Sequence, residues 1–349
     1  METRVYLAVR ASTPAPRWNM EKSEALVWTA HRAVRLVWCM GGKRGFTVLT
    51  GGMPEWILQE CRLSLNRTRL KRLLIGEWSW KRVIRSTVLI YGIVFIFAVV
   101  WSERIIFIDG LCSYRELPGA VSIPTPAGNR VTAWYRPHTN AMFTILHSHG
   151  NGEDLGDLQD YFNDYHRQGY SLFAYDYPGY GTSPGRASEQ GTYDAVEAAW
   201  NYLTNTLQIP PDRIILHGRS VGSGPAVWLA GRVRPAGLIV ESGFVSAFRV
   251  MTRIPLLPFD RFPNLKRLPL VTCPMLFIHG AGDPVIKAWH GRALAKAAGD
   301  RGTQCIIEGA GHNDVSWVRR KKYWDAIRRF ADSLDGRINR SAVLPQAGE

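Results

Sequence analysis

Gly218-Arg219-Ser220-Val221-Gly222 is a Gly-x-Ser-x-Gly run that directly follows an apolar stretch at 214–217. A serine on a tight turn between a strand and a helix has its hydroxyl lifted to the top of the sheet, where the helix N-terminus favours developing negative charge. That hydroxyl is a poor nucleophile until a base takes its proton, and imidazole has the right pKa for the task. Of the nine histidines, His312 in Gly309-Ala-Gly-His-Asn-Asp follows the last strand pattern on a glycine-rich loop, and is the candidate base. Asp283, in His279-Gly-Ala-Gly-Asp-Pro-Val, is the candidate carboxylate that holds the imidazole tautomer, with Glu241 as its competitor. A fourth loop, His147-Ser-His-Gly-Asn-Gly-Glu, offers backbone N–H groups to a tetrahedral oxyanion. The expected donors are Val221, just after the nucleophile, and Asn151. His147 and His149 share a strand face and also fit metal ligation, but no third ligand stands out, so no metal is expected.

These loops need a scaffold that brings them to one edge. From residue 130 onward, short apolar runs alternate with helical patterns, as in a mostly parallel sheet with crossover helices. The pattern predicts strands at 131–135, 143–148, 171–175, 213–217, 237–241, 275–279 and 304–308. Helices are expected at 192–207, 224–233, 287–298 and 318–334. All four candidate loops then fall at the carboxyl ends of strands, where open α/β sheets carry their working residues.

With these motifs in order, the chain resembles the α/β-hydrolase superfamily. More closely it is similar to the membrane-anchored serine hydrolase branch related to the α/β-hydrolase-domain depalmitoylating enzymes. The likeness rests on His149-Gly-Asn-Gly-Glu-Asp, Tyr175-Asp-Tyr-Pro-Gly-Tyr-Gly-Thr-Ser-Pro-Gly-Arg, Gly218-Arg-Ser-Val-Gly, Phe277-Ile-His-Gly-Ala-Gly-Asp and Gly309-Ala-Gly-His-Asn-Asp, and runs over about 105–335. The resemblance implies an α/β-hydrolase fold, a triad of Ser220, Asp283 and His312, an oxyanion hole at Asn151 and Val221, and no cofactor. The depalmitoylating enzymes carry a lipidated cysteine cluster near the N-terminus. Here Cys39 and Cys61 stand alone, and an apolar span takes the cluster's place.

That span contains no charged residue from 87 to 101, and 19 positions are available from Val83 to Trp101. About 20 residues cross a bilayer core, so 83–101 is a short but workable transmembrane anchor. Trp78, Trp80 and Trp101 flank it as interfacial aromatics would. The net charge of +14 is concentrated before it: 16 Lys+Arg against 6 Asp+Glu in residues 1–85. The positive-inside rule therefore puts the N-terminus in the cytoplasm and the hydrolase domain on the opposite side of the membrane. A basic arm also suits nucleic acid, but beside an apolar span a lipid bilayer is the simpler partner, and no nucleic acid is expected. Five scattered cysteines exclude a dense disulfide scaffold.

The expected organisation is a basic arm at 1–80, the anchor at 83–101, a hydrolase domain at 105–335 and a loose tail at 336–349. About 33 residues separate the strands at 237–241 and 275–279, so any lid is small. Its apolar, proline-rich 254–262 segment either walls an acyl pocket or packs as an ordinary loop, and the same choice holds for Tyr177 and Tyr180 at the mouth. The function this predicts is cleavage of an acyl ester or thioester through an acyl-enzyme on Ser220. A serine peptidase of the same fold is the alternative, and a non-catalytic membrane tether is the rival from another class.

Overall fold

The computed structural model describes residues 79–110 and 112–343, with side chains as far as 338. The basic arm before residue 79 and the last residues of the expected tail lie outside the described residues. The chain divides into two units between Ile90 and Tyr91. Helix α1 (Trp80–Ile106) runs through the division, and the expected 83–101 span lies wholly inside it. At about 1.5 Å per residue its 27 residues extend roughly 40 Å, against about 30 Å for a bilayer core. Among the described residues it is the one helix long and apolar enough to cross a membrane, with a mean hydropathy of 2.4 over its best window and none of that window buried.

Eight strands form one sheet: β1 (Ala120–Pro124), β2 (Arg130–Arg136), β3 (Thr144–Ser148), β4 (Ser171–Tyr175), β5 (Ile214–Arg219), β6 (Gly237–Glu241), β7 (Met275–Gly280) and β8 (Gly302–Ile307). Their spatial order is β1-β2-β4-β3-β5-β6-β7-β8. β1 and β2 pair antiparallel at one edge, and every pairing from β4 to β8 is parallel. β3 to β7 are buried along their length up to Arg219 at the end of β5, and mostly apolar, because both faces are covered. Their side chains alternate between two cores. Leu146, Phe173, Leu216, Val240 and Phe277 face α3 (Glu189–Asn201), α4 (Ser223–Ala230) and α7 (Trp289–Ala298). Ile145, Leu172, Ile215, Ile239 and Ile278 face α2 (Gln159–Arg167), α8 (Val315–Val318) and α9 (Arg320–Val343). This is the expected mostly parallel sheet with helices on both faces.

Between β6 and β7 the chain forms two short helices, α5 (Ala247–Met251) and α6 (Asn264–Arg267), and a 3₁₀ turn at Leu268–Leu270, so the lid is small as expected. Two expectations are corrected. The tail foreseen from residue 336 remains helical to Val343, because Ile338 still packs on the α9 core and Asp335 pairs with Arg213 at 3.1 Å. The helix foreseen at 192–207 starts earlier, at Glu189, where the Ser188 side chain accepts from the Gly191 N–H and caps it.

Candidate active site

Ser220 opens a single 3₁₀ turn between β5 and α4, with φ of +52°. A left-handed conformation at a non-glycine residue costs of order 1–3 kcal/mol and is held here by the packing around it. Gly218 and Gly222 explain why the turn needs glycines. A Cβ on Gly218 would collide with the Gly222 carbonyl and Ala226, and one on Gly222 with the carbonyls of Ser148 and His149. The Ser223 hydroxyl donates to the Ser220 carbonyl at 2.6 Å and closes the turn.

The loops after β7 and β8 bring the other two groups to this hydroxyl. His312 Nε2 lies 3.0 Å from Ser220 Oγ, and His312 Nδ1 lies 2.7 Å from Asp283 Oδ2. Asp283 is fixed in turn, since its Oδ1 accepts the Val285 and Ile286 N–H groups at 2.9 and 2.7 Å. Burial alone would raise the Asp283 pKa. Hydrogen bonds from His279, His312 and the Ile286 N–H reverse that and hold it well below the usual carboxylate range. The group is thus an anion placed to favour the Nδ1–H tautomer, which leaves Nε2 free to accept the serine proton.

Glu241, the competing carboxylate, does not join this line. It is buried beneath the elbow, where Tyr323 donates to Oε2 at 2.7 Å, His217 lies 3.3 Å away and Arg219 lies 3.5 Å from Oε1. Of the carboxylates weighed from sequence, the structure therefore brings Asp283 to His312 and leaves Glu241 in a separate polar cluster.

The proposed oxyanion donors sit on segments that touch. Gly222, next to Val221, packs against the carbonyls of Ser148 and His149 just before Asn151. Val221 lies in the first turn of a helical segment, where N–H groups lack an intrahelical acceptor. The Asn151 side chain is spent on positioning. It donates to the Ile106 carbonyl at 2.6 Å and accepts from the Ile108 N–H at 3.0 Å and the Tyr180 hydroxyl at 2.6 Å. Tyr177 and Tyr180 are buried rather than at the mouth, and the Tyr177 hydroxyl donates to the His149 carbonyl at 2.8 Å. His149 is buried as well, and burial lowers its pKa to about 4.

Sequence reasoning missed one bridge across the site. The Arg219 guanidinium pairs with Glu153 and donates to Asn313 Oδ1 at 3.2 Å, while Glu153 Oε2 accepts the Gly150 N–H at 2.9 Å. The serine, histidine and oxyanion loops are thus tied through residues that each neighbour a motif position, and that adjacency was the only available signal.

Comparison with known proteins follows the same lines. Human alpha/beta hydrolase domain-containing protein 17B is 39% identical over 210 residues, which cover 59% of this chain and 72% of that protein. The chain belongs to the α/β-hydrolase superfamily, in its α/β-hydrolase-domain-containing branch. A second member of that branch, alpha/beta hydrolase domain-containing protein aho-3 of Caenorhabditis elegans, is 36% identical over 226 residues, covering 63% of this chain and 67% of its own. A family model described as serine aminopeptidase, S33 matches residues 139–258. The fold is that of the Pyrococcus furiosus esterase Pf2001, with a TM-score of 0.55 at 15% identity over 65% of this chain and 99% of that one. As a member of the branch the chain is a hydrolase.

Proposed function

We propose that this α/β-hydrolase is a membrane-anchored serine hydrolase that cleaves carboxylic ester or thioester bonds. The observation that carries the reading is the unbroken line from Ser220 Oγ to His312 Nε2 at 3.0 Å and from His312 Nδ1 to Asp283 at 2.7 Å. Ser220 attacks the acyl carbonyl as His312 takes its proton, and Asp283 stabilises the imidazolium. The Val221 and Asn151 N–H groups receive the oxyanion. His312 then protonates the departing alcohol or thiol, and water attacks the acyl-enzyme with His312 as base. Helix α1 holds the domain at the membrane, with the N-terminus cytoplasmic and the hydrolase domain across the bilayer. Hydrolysis of a peptide bond is the second reading, favoured by the serine aminopeptidase model that matches 139–258.

The test is labelling of the whole chain by a fluorophosphonate probe, beside Ser220→Ala and a heat-denatured control. Intact protein should gain the probe mass at Ser220 and the variant should not. A folded chain that fails to react overturns the enzyme reading and favours a tether. Reacting protein is then assayed on p-nitrophenyl esters against aminoacyl amides, and preference for the amides selects the peptidase.

A further inference from the structure

Met251, Ile254 and Leu256 on the lid are 86%, 63% and 56% exposed, although the chain places them beside a well-packed domain. The lid does not stand alone. The Phe259 ring meets Phe95 of α1 edge-on at 5.5 Å, and the Tyr91 hydroxyl donates to the Leu256 carbonyl at 3.2 Å. Further along, Arg261 reaches Ser102 at 3.2 Å and Glu103 at 3.4 Å. Gly92, Phe95, Ala98, Ser102 and Ile106, spaced as one helix face, are shielded from solvent, as is Glu103 beside them. The lid and the second half of α1 therefore present one continuous apolar surface.

Position along the helix sets the depth. Tyr91 is ten residues before Trp101, or about 15 Å at about 1.5 Å per residue. If Trp101 and Arg104 mark the exit interface of the anchor, the lid beside Tyr91 lies well inside the acyl layer. Its backbone suits that medium, where an unpaired polar group costs several kcal/mol. Pro255 and Pro258 have no N–H, the Ile254 carbonyl accepts from Thr252 at 2.9 Å, and the Leu256 carbonyl is taken by Tyr91. Residues 247–267 carry five basic residues and one acidic one, none of them within 254–258, which suits lipid phosphates above an uncharged immersed segment. The lid's far root meets the start of α4, the helix that follows Ser220: Phe262 packs on Gly224, and Asn264 donates to Ser223 at 3.2 Å.

We propose that lid residues 254–258 are immersed in the bilayer beside α1, so that the site is loaded from the membrane rather than from water. This rests on the reading of α1 as an anchor. The test uses the full chain in phospholipid nanodiscs, with a photoreactive benzophenone amino acid at position 97 on α1, at 256 on the lid, or at 205. Asn205 is exposed beyond the end of α3, towards the amino ends of the strands, and serves as the aqueous control. Lipid adducts, read by mass, should form at 97 and 256 and not at 205. Adducts at 97 alone overturn the immersed lid and leave the anchor standing, whereas adducts at neither overturn both. Adducts at 256 alone remove the anchor and overturn the placement of the lid beside an immersed α1. Ile254→Glu with Leu256→Glu should lower turnover of a vesicle-borne long-chain ester about tenfold or more while sparing p-nitrophenyl acetate. An equal change in both substrates overturns delivery from the membrane.

Discussion

Burial pushes the Asp176 carboxyl up from its usual 3.8 to about 7, even though Tyr114 and the Leu155 N–H both donate to it. In the unfolded chain this group loses its proton near 3.8, and in the fold it keeps it to about 7. Its contribution therefore opposes folding progressively as pH rises through that window, by an amount on the order of 4 kcal/mol above pH 7. Asp176→Asn removes the titration. Its melting temperature should rise relative to the parent between pH 5 and pH 8, and an unchanged difference at the two pH values would refute the assignment. At the site, Asp283→Asn should cut turnover on the order of 10⁴-fold by favouring the wrong tautomer of His312. Glu241→Gln, which leaves the line to His312 intact, should cost far less, and equal losses would reopen the choice between the two carboxylates. Ser220, His312 and Asp283 were legible because each ends a strand pattern on a glycine-rich loop. The side-chain work of Asn151 was not, because its partners Ile106 and Ile108 are distant in sequence and are backbone groups.

At the scale of elements, the elbow is set by contact between two loops. Gly222 leaves no room for a Cβ because the Ser148 and His149 carbonyls lie against it. Gly222→Ala must push β3 and its loop away from the turn, at a cost of about 1–3 kcal/mol. It should also lower kcat more than it raises KM, since the displaced segment carries Asn151, the proposed oxyanion donor; chemical denaturation and steady-state kinetics read the two effects. A variant with full activity and lower stability would separate the loop from the chemistry. The central strands were legible from sequence because burial on both faces gives each a short apolar core, such as Ile145-Leu146 or Leu276-Phe277-Ile278. β1, which reads Ala-Val-Ser-Ile-Pro, and α2, with its tyrosines and Asp/Asn residues, were not. β1 is an edge strand with a weak alternation, and the apolar side chains of α2 are outnumbered by polar ones, so tertiary packing rather than pattern decides both.

For the whole molecule, the proposed anchor leaves one quantity to measure, the direction in which α1 would cross a membrane. Lys81, Arg82 and Arg85 lie at its start with no acidic residue in the first turn, whereas Glu103 and Arg104 balance each other at its end. The basic excess before residue 86 extends the same asymmetry, and the positive-inside rule counts such Lys/Arg residues near a span. In sealed cytoplasm-side-out vesicles, an N-terminal epitope should therefore be digested by added protease and a C-terminal one protected until detergent is supplied. Replacing Lys81, Arg82 and Arg85 by Gln should erode that protection, because it removes the charges closest to the span. The opposite pattern, with the C-terminal epitope digested, would put Ser220 on the cytoplasmic face. The site would then meet lipidated cytoplasmic proteins, the substrates that the resemblance to depalmitoylating enzymes implies, and the lid would sample the leaflet that carries their acyl chains. The active-site geometry is the same in either case, so topology rather than chemistry decides which acyl donors reach it.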